Sequence, residues 1–142
     1  MFVRRATMQE ADGLYALACG AARRELPRNV FDALLTDALR RSSRRILTAS
    51  ENGEVMGYVD AELRPSLTQC AMVGVVCDLF VKEGCRGRGV GTALMINLAT
   101  QLKRLGCVCL TADCSRVNVR SQEFLEKRGF ARAQYHFVRE LH

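Results

Sequence analysis

The chain has 142 residues, 49% of them apolar and 25% charged, with a formal net charge of +6. That length holds one domain, 1–142, with no room for a second, and the composition excludes a disordered polymer. No apolar run approaches the roughly 20 residues of a membrane helix, and no apolar signal region follows Met1–Arg5, so a cytoplasmic protein is expected.

Phe2-Val3-Arg4-Arg5 reads as a first strand. Thr7-Met8-Gln9-Glu10 has the Ser/Thr-x-x-Glu form of a capping box and predicts a helix through about Cys19. Pro27 breaks the chain, and Asn29 is placed to cap a second helix carrying Phe31, Leu34, Leu35 and Leu39. Ile46 to Ala49 makes a strand, Asn52-Gly53 is a hairpin pair, and the returning strand from Val55 extends to about Leu63. After a loop over Pro65–Gln69, a longer strand runs from Ala71 to Val81. A glycine-rich turn follows, then a helix with Leu94, Ile96, Leu98, Leu102 and Leu105 on it, ended by Gly106. Val108 to Asp113 is a fifth strand, and a last helix runs from about Asn118 to Arg128. Tyr135, Phe137 and Val138 lie in a closing strand. The order β-α-α-β-β-β-α-β-α-β predicts an α+β sandwich about a mixed sheet of six strands.

There are seven cysteines and two histidines. The odd count, the lack of Cys-x-x-Cys and the scarcity of histidine leave no zinc-site spacing, so no metal is expected. Cys77, Cys107 and Cys109 sit in apolar strand-like runs and are expected as small core residues. Cys85 and Cys114 are expected nearer the surface, and a reduced compartment fits best. The positive charge invites a nucleic-acid reading. The basic residues are spread along the chain, however, and no aromatic stacking platform accompanies them. The densest block (Arg40, Arg41, Arg44, Arg45) reads as a solvated face or loop, with a contact to an acidic partner as the alternative.

The most informative segment is Val-Lys-Glu-Gly-Cys-Arg-Gly-Arg-Gly-Val-Gly-Thr-Ala-Leu, from Val81 to Leu94. A strand enters a loop with Gly84, Gly87, Gly89 and Gly91, and a helix leaves it. A helix N-terminus offers unpaired N–H groups and about half a positive charge. Glycines let such a backbone curl around an anion, and Arg86 and Arg88 add formal charge. No Lys follows Gly91, so the nucleotide P-loop pattern fails. The spacing Gly-x-Gly-x-Gly also misses the dinucleotide fingerprint.

Arg86, Gly89 and Gly91 fit Arg-x-x-Gly-x-Gly, which resembles the acetyl-CoA signature of the GNAT N-acetyltransferase superfamily. Asn118 to Phe130 is similar to the family's Asn-x-x-Ala-x-x-x-Tyr-x-x-x-Gly-Phe. The order of elements also matches, so the resemblance covers nearly the whole chain. It implies a GNAT-like, mostly antiparallel six-stranded sheet with helices on both faces. It also implies acetyl-CoA as co-substrate and direct attack by an amine in a ternary complex. The backbone of Leu79, Phe80 and Val81 would take the pantetheine arm and polarise the acetyl carbonyl. The loop amides of Arg86, Gly87, Arg88, Gly89, Val90 and Gly91, with Thr92, would bind the pyrophosphate. Asn118 would contact the pantetheine arm, and it is equally a sensible helix N-cap. Dimers are common in the family, so a homodimer is an expectation.

Leu125 departs from the pattern where the family often has a Tyr as acid for the leaving thiolate. Ser121 and Tyr135 are the remaining hydroxyl candidates. For the amine side, Asp113 ends the fifth strand where the sheet should open, and the surrounding residues are similar to aminoglycoside N-acetyltransferases. An Asp at a strand end is also an ordinary turn residue. Asp78 lies mid-strand among apolar neighbours, where an unpaired charge is costly. Alternation puts it with Phe80 on one face and Leu79 with Val81 on the other. Glu62 is a poorer third. The expected substrate is a small-molecule amine. The alternatives are a peptide or protein N-acetyltransferase, a non-catalytic acyl-CoA sensor and, less favoured, a nucleic-acid-binding domain.

Overall fold

The computed structural model describes residues 1–141. Strands β1 (Phe2–Arg5), β2 (Arg44–Glu51), β3 (Glu54–Ser66), β4 (Ala71–Val81) and β5 (Cys107–Ala112) form one sheet in sequential order. All neighbours are antiparallel except β4 and β5, which are parallel. A parallel pair needs a crossover, and α3 (Val90–Arg104) supplies it. Helices α1 (Ala11–Ala22) and α2 (Arg28–Arg40) cover the opposite face, and α4 (Val119–Lys127) follows β5.

Two apolar clusters sandwich the sheet. On one face Val90, Leu94, Leu98 and Leu102 of α3 pack on Leu47, Val59 and Val76, with Leu94 and Leu98 fully covered. Burying each such leucine contributes about 2 kcal/mol. Gly74 lets α3 come this close, because a Cβ there would stand 2.5 Å from Leu102 Cδ1. On the other face Leu14, Leu17, Leu35 and Ala38 pack on Ile46 and Tyr58. The capping box forms: the Thr7 N–H donates to Glu10 Oε1 at 3.1 Å. Glu10 Oε2 in turn accepts from the buried Thr48 hydroxyl at 2.7 Å, which ties the start of α1 to β2.

Several expectations are corrected. Tyr135, Phe137 and Val138 join no ladder, so the described sheet has five strands rather than six. Phe130 packs against the α3 core, and Arg132 then folds back onto Gln122 and Glu126 of α4 at 2.8 and 3.1 Å. Tyr135, Phe137 and Val138 are all well exposed, and His136 between them reaches Asp113 beyond β5 with its side chain, not through a backbone ladder. The second helix begins at Arg28 behind Pro27, not behind Asn29. Cys77 and Cys109 are exposed and Cys107 is half-buried. Their apolar neighbours suggested a core, but β5 is an outer strand and Cys77 sits where β4 has lost β5. Cys85 is half-buried and Cys114 exposed.

Candidate active site

Val76 opposite Ala112 is the last pair between β4 and β5. Beyond it β4 continues to Val81 without a neighbour on that side, while the chain after β5 turns away. At the same level β4 carries a bulge: Asp78 pairs with Asp60 and Val76 with Ala61, so Cys77 is the extra residue. A bulge bends a strand and increases its twist, which turns this half of β4 away from β5. The gap opens into a cleft of about 1780 Å³ that also runs past α1 and the β2–β3 turn.

Strand geometry decides which backbone groups enter the gap. The Lys82 N–H donates to the Met56 carbonyl of β3 at 2.7 Å. Amides alternate along a strand, so those of Leu79 and Val81 face away from β3 into the cleft, and that of Phe80 faces β3. The side chains divide as alternation predicts: Leu79 and Val81 join the α3 core, Phe80 the α1–α2 core.

The glycine loop closes one end. Gly87 and Gly89 have φ of 78° and 80°, the left-handed region that glycine enters without strain. Gly89 is the N-cap of α3, and its carbonyl accepts the first helical bond, from Ala93 N at 3.0 Å. The amides of Val90, Gly91 and Thr92 therefore have no helical partner and meet the cleft with the positive end of a fifteen-residue helix. Arg86 bonds the Val81 carbonyl through Nε at 3.1 Å, and its guanidinium lies 5.2 Å from the Phe80 ring centroid. Arg88 is paired with Glu51 at 2.8 Å, and that hydrogen bond raises its pKa. Arg128, which the sequence reading passed over, donates to Thr92 Oγ1 at 2.7 Å and stacks over Phe124. No local pattern links residues so far apart in the chain.

The far wall comes from the end of β5 and from α4. Asn118 Oδ1 accepts from the Ser121 N–H at 3.1 Å, so Asn118 caps α4, and both residues line the cleft with Phe124. Asp113 and Cys114 line it too. The Asp113 carboxylate is well exposed and lies 3.2 Å from His136 Nδ1. Tyr135 is 85% exposed and stands outside the cleft lining. Leu125 and Glu62 are likewise outside it, and Glu62 is paired with Arg64 at 3.5 Å.

Asp78 lines the cleft from β4, beside the Leu79 amide. Partial burial pushes its pKa up, and the Asp60 carboxylate pushes it further. Asp60 is paired with Arg44 at 2.7 Å, yet burial still holds its pKa above the ordinary value. The basic block is thus partly internal. Arg44 belongs to β2 and to this ion pair, and Arg41 pairs with Asp37 at 2.7 Å.

A strand end that opens onto the N-terminus of a glycine-capped helix makes a cleft suited to an extended, anionic ligand. The chain belongs to the acetyltransferase (GNAT) family, whose model matches residues 11–130. It is an N-acetyltransferase by that membership. An aminoalkylphosphonate N-acetyltransferase of Salmonella typhimurium is 22% identical over 139 residues, covering 98% of this chain and 90% of that protein. A transcriptional regulator from Bacillus halodurans superposes with a TM-score of 0.91 at 16% identity, over 99% of each chain. The aminoglycoside N-acetyltransferase AAC(6')-Iy, solved with a CoA-based bisubstrate analogue, gives 0.87 at 22% identity, over 99% of this chain and 97% of that one. Both superpositions show the fold. Among the described residues no helix is long and apolar enough to cross a membrane.

Proposed function

We propose that the chain transfers the acetyl group of acetyl-CoA to the primary amine of a small molecule, by direct attack in a ternary complex. One observation carries this reading: the free edge of β4 and the N-terminus of α3 open into one cleft. The amides of Gly87 to Thr92, supported by Arg86 and Arg88, hold the pyrophosphate. The pantetheine arm lies along Leu79 to Val81, bonded by the alternate amides of Leu79 and Val81, with Asn118 and Ser121 on its other side. An amide on the cleft edge polarises the thioester oxygen.

The amine nitrogen then bonds the acetyl carbon, the carbon–sulfur bond breaks, and the amine proton passes to a carboxylate. Asp78 is the favoured base. Its raised pKa brings it nearer to that of the proton it must accept, and it neighbours the Leu79 amide. Asp113, across the cleft, is the second candidate. Tyr135 lies outside the cleft and is assigned no step, which leaves Ser121 as the hydroxyl in the lining beside the departing thiolate.

The Salmonella typhimurium relative is named for aminoalkylphosphonates, and the AAC(6')-Iy ligand joins CoA to an acetylated neamine. The former, which matches along nearly the whole of both chains, supports a small-molecule acceptor. The seven free cysteines support a reducing, cytoplasmic setting. Acetyl-CoA is expected to raise the melting temperature. Thiol release is expected with some member of a panel of aminoalkylphosphonates, aminoglycosides, polyamines and peptides. Stabilisation without turnover on any amine would favour the acyl-CoA sensor, and no stabilisation would remove the reading.

A further inference from the structure

Asp60 and Asp78 are direct partners across β3 and β4. Their side chains leave the same face with Cβ atoms roughly 5 Å apart, and like charges so placed repel. Asp78 lines the cleft and Asp60 does not. One Nη of Arg44 meets both oxygens of Asp60 at 2.7 Å, with the Asp60 side chain 16% exposed and that of Arg44 26%. Asp78 enters no ion pair among the described residues. Two carboxylates and one guanidinium leave one negative charge, and the pairing leaves it on Asp78.

Other charged and titratable groups surround the cluster. Tyr58 and Glu62 come from β3, Cys77 from β4, and Asp37 and Arg41 from α2. Asp12 and Arg23 line the cleft from the α1 side. Among these, Arg44 is the cation whose charge reaches Asp78. Its Nε is buried without a hydrogen-bond partner, so the guanidinium has a donor to spare.

We infer that Asp60 is a positioning residue for acetyl transfer: by holding Arg44 to itself it keeps that cation off Asp78, leaving Asp78 free to take the acceptor's proton. The inference rests on Asp78 as base. With Asp60 neutral, the guanidinium turns to Asp78 and stabilises its ionised form, which makes it a weaker base. With Arg44 neutral, the two carboxylates face each other uncompensated and one retains its proton to higher pH. The two losses therefore act in opposite directions.

The test is the pH profile of kcat/KM for one accepted amine, whose acidic limb reports the base in the free enzyme. Asp60→Asn is expected to move that limb down by about one pH unit and Arg44→Gln to move it up by about one. Arg44→Lys, which keeps the charge, holds it near the wild-type position. The KM for acetyl-CoA stays within about twofold in all three, as expected of residues outside the cleft lining. Limbs that stay in place, or shift in the same direction in Asp60→Asn and Arg44→Gln, overturn the inference. Full activity in Asp78→Asn would instead remove the reading beneath it. If Arg44→Gln fails to fold, the comparison of Asp60→Asn with Arg44→Lys decides.

Discussion

Val76 and Ala112 form the last pair that joins β4 to β5, and Cys77, the next residue, is the bulge. The opening of the sheet and the bend in β4 thus coincide. Removing Cys77 would leave Val76 and Asp78 opposite consecutive residues, Ala61 and Asp60, in an unbroken ladder. The fold should therefore survive, while β4 straightens towards β5 and the cleft narrows. The deletion is expected to keep the wild-type circular dichroism spectrum and to weaken CoA by at least about tenfold by calorimetric titration. Wild-type affinity in the folded deletion would show that the bulge does not open the cleft.

The glycine loop makes a second prediction. A Cβ at Gly89 would meet nothing within 4 Å, so Gly89→Ala tests backbone conformation alone. Holding alanine at a φ of 80° costs about 1–2 kcal/mol, and relief of that strain tilts the amides at the start of α3. Melting temperature and CoA affinity should both fall. Gly84→Ala, with equal space and no positive φ, serves as the control and should change neither.

The pH dependence follows from Asp78. As a base it works only when ionised, and burial raises its pKa. The rate should therefore fall as pH drops through a value above the ordinary aspartate pKa of about 3.9. Asp78→Asn should lower kcat by about 10² or more. Asp113→Asn, which alters an exposed group paired with His136, should lower it only a few-fold. The reverse order would make Asp113 the base.

The link between β2 and the start of α1 tests the packing account. Thr48→Val preserves shape but takes the hydroxyl from the buried Glu10 carboxylate. Leaving that acceptor short of a donor should cost about 1–3 kcal/mol in denaturant unfolding. CoA affinity should be unchanged, because Thr48 does not line the cleft and Glu10 lines it apart from the β4 edge and the glycine loop.

Much of this was legible in the sequence where a pattern is local. The strand–glycine loop–helix unit, the Asn52-Gly53 hairpin and the Thr7–Glu10 box each lie within a few consecutive residues, and each forms. What failed depends on neighbours distant in the chain. Nothing local marks β5 as an outer strand, so Cys109 looked like core. The apolar spacing of Tyr135, Phe137 and Val138 suits a strand, but all three are exposed and join no ladder. Alternation gives the faces of Leu79, Phe80 and Val81, yet the extra residue at Cys77 leaves no mark in composition. Arg44 was grouped with a surface block because its partner, Asp60, comes beside it only through the β2–β3 register.

The central claim is most directly tested by thiol release from acetyl-CoA in the presence of an accepted amine, followed for the wild type and Asp78→Asn at equal acetyl-CoA occupancy. The account predicts amine-dependent release by the wild type, and release slowed by about 10² or more in the variant with acetyl-CoA binding intact. Equal rates in the two proteins, or acetyl-CoA binding that no amine converts to free thiol, would contradict it.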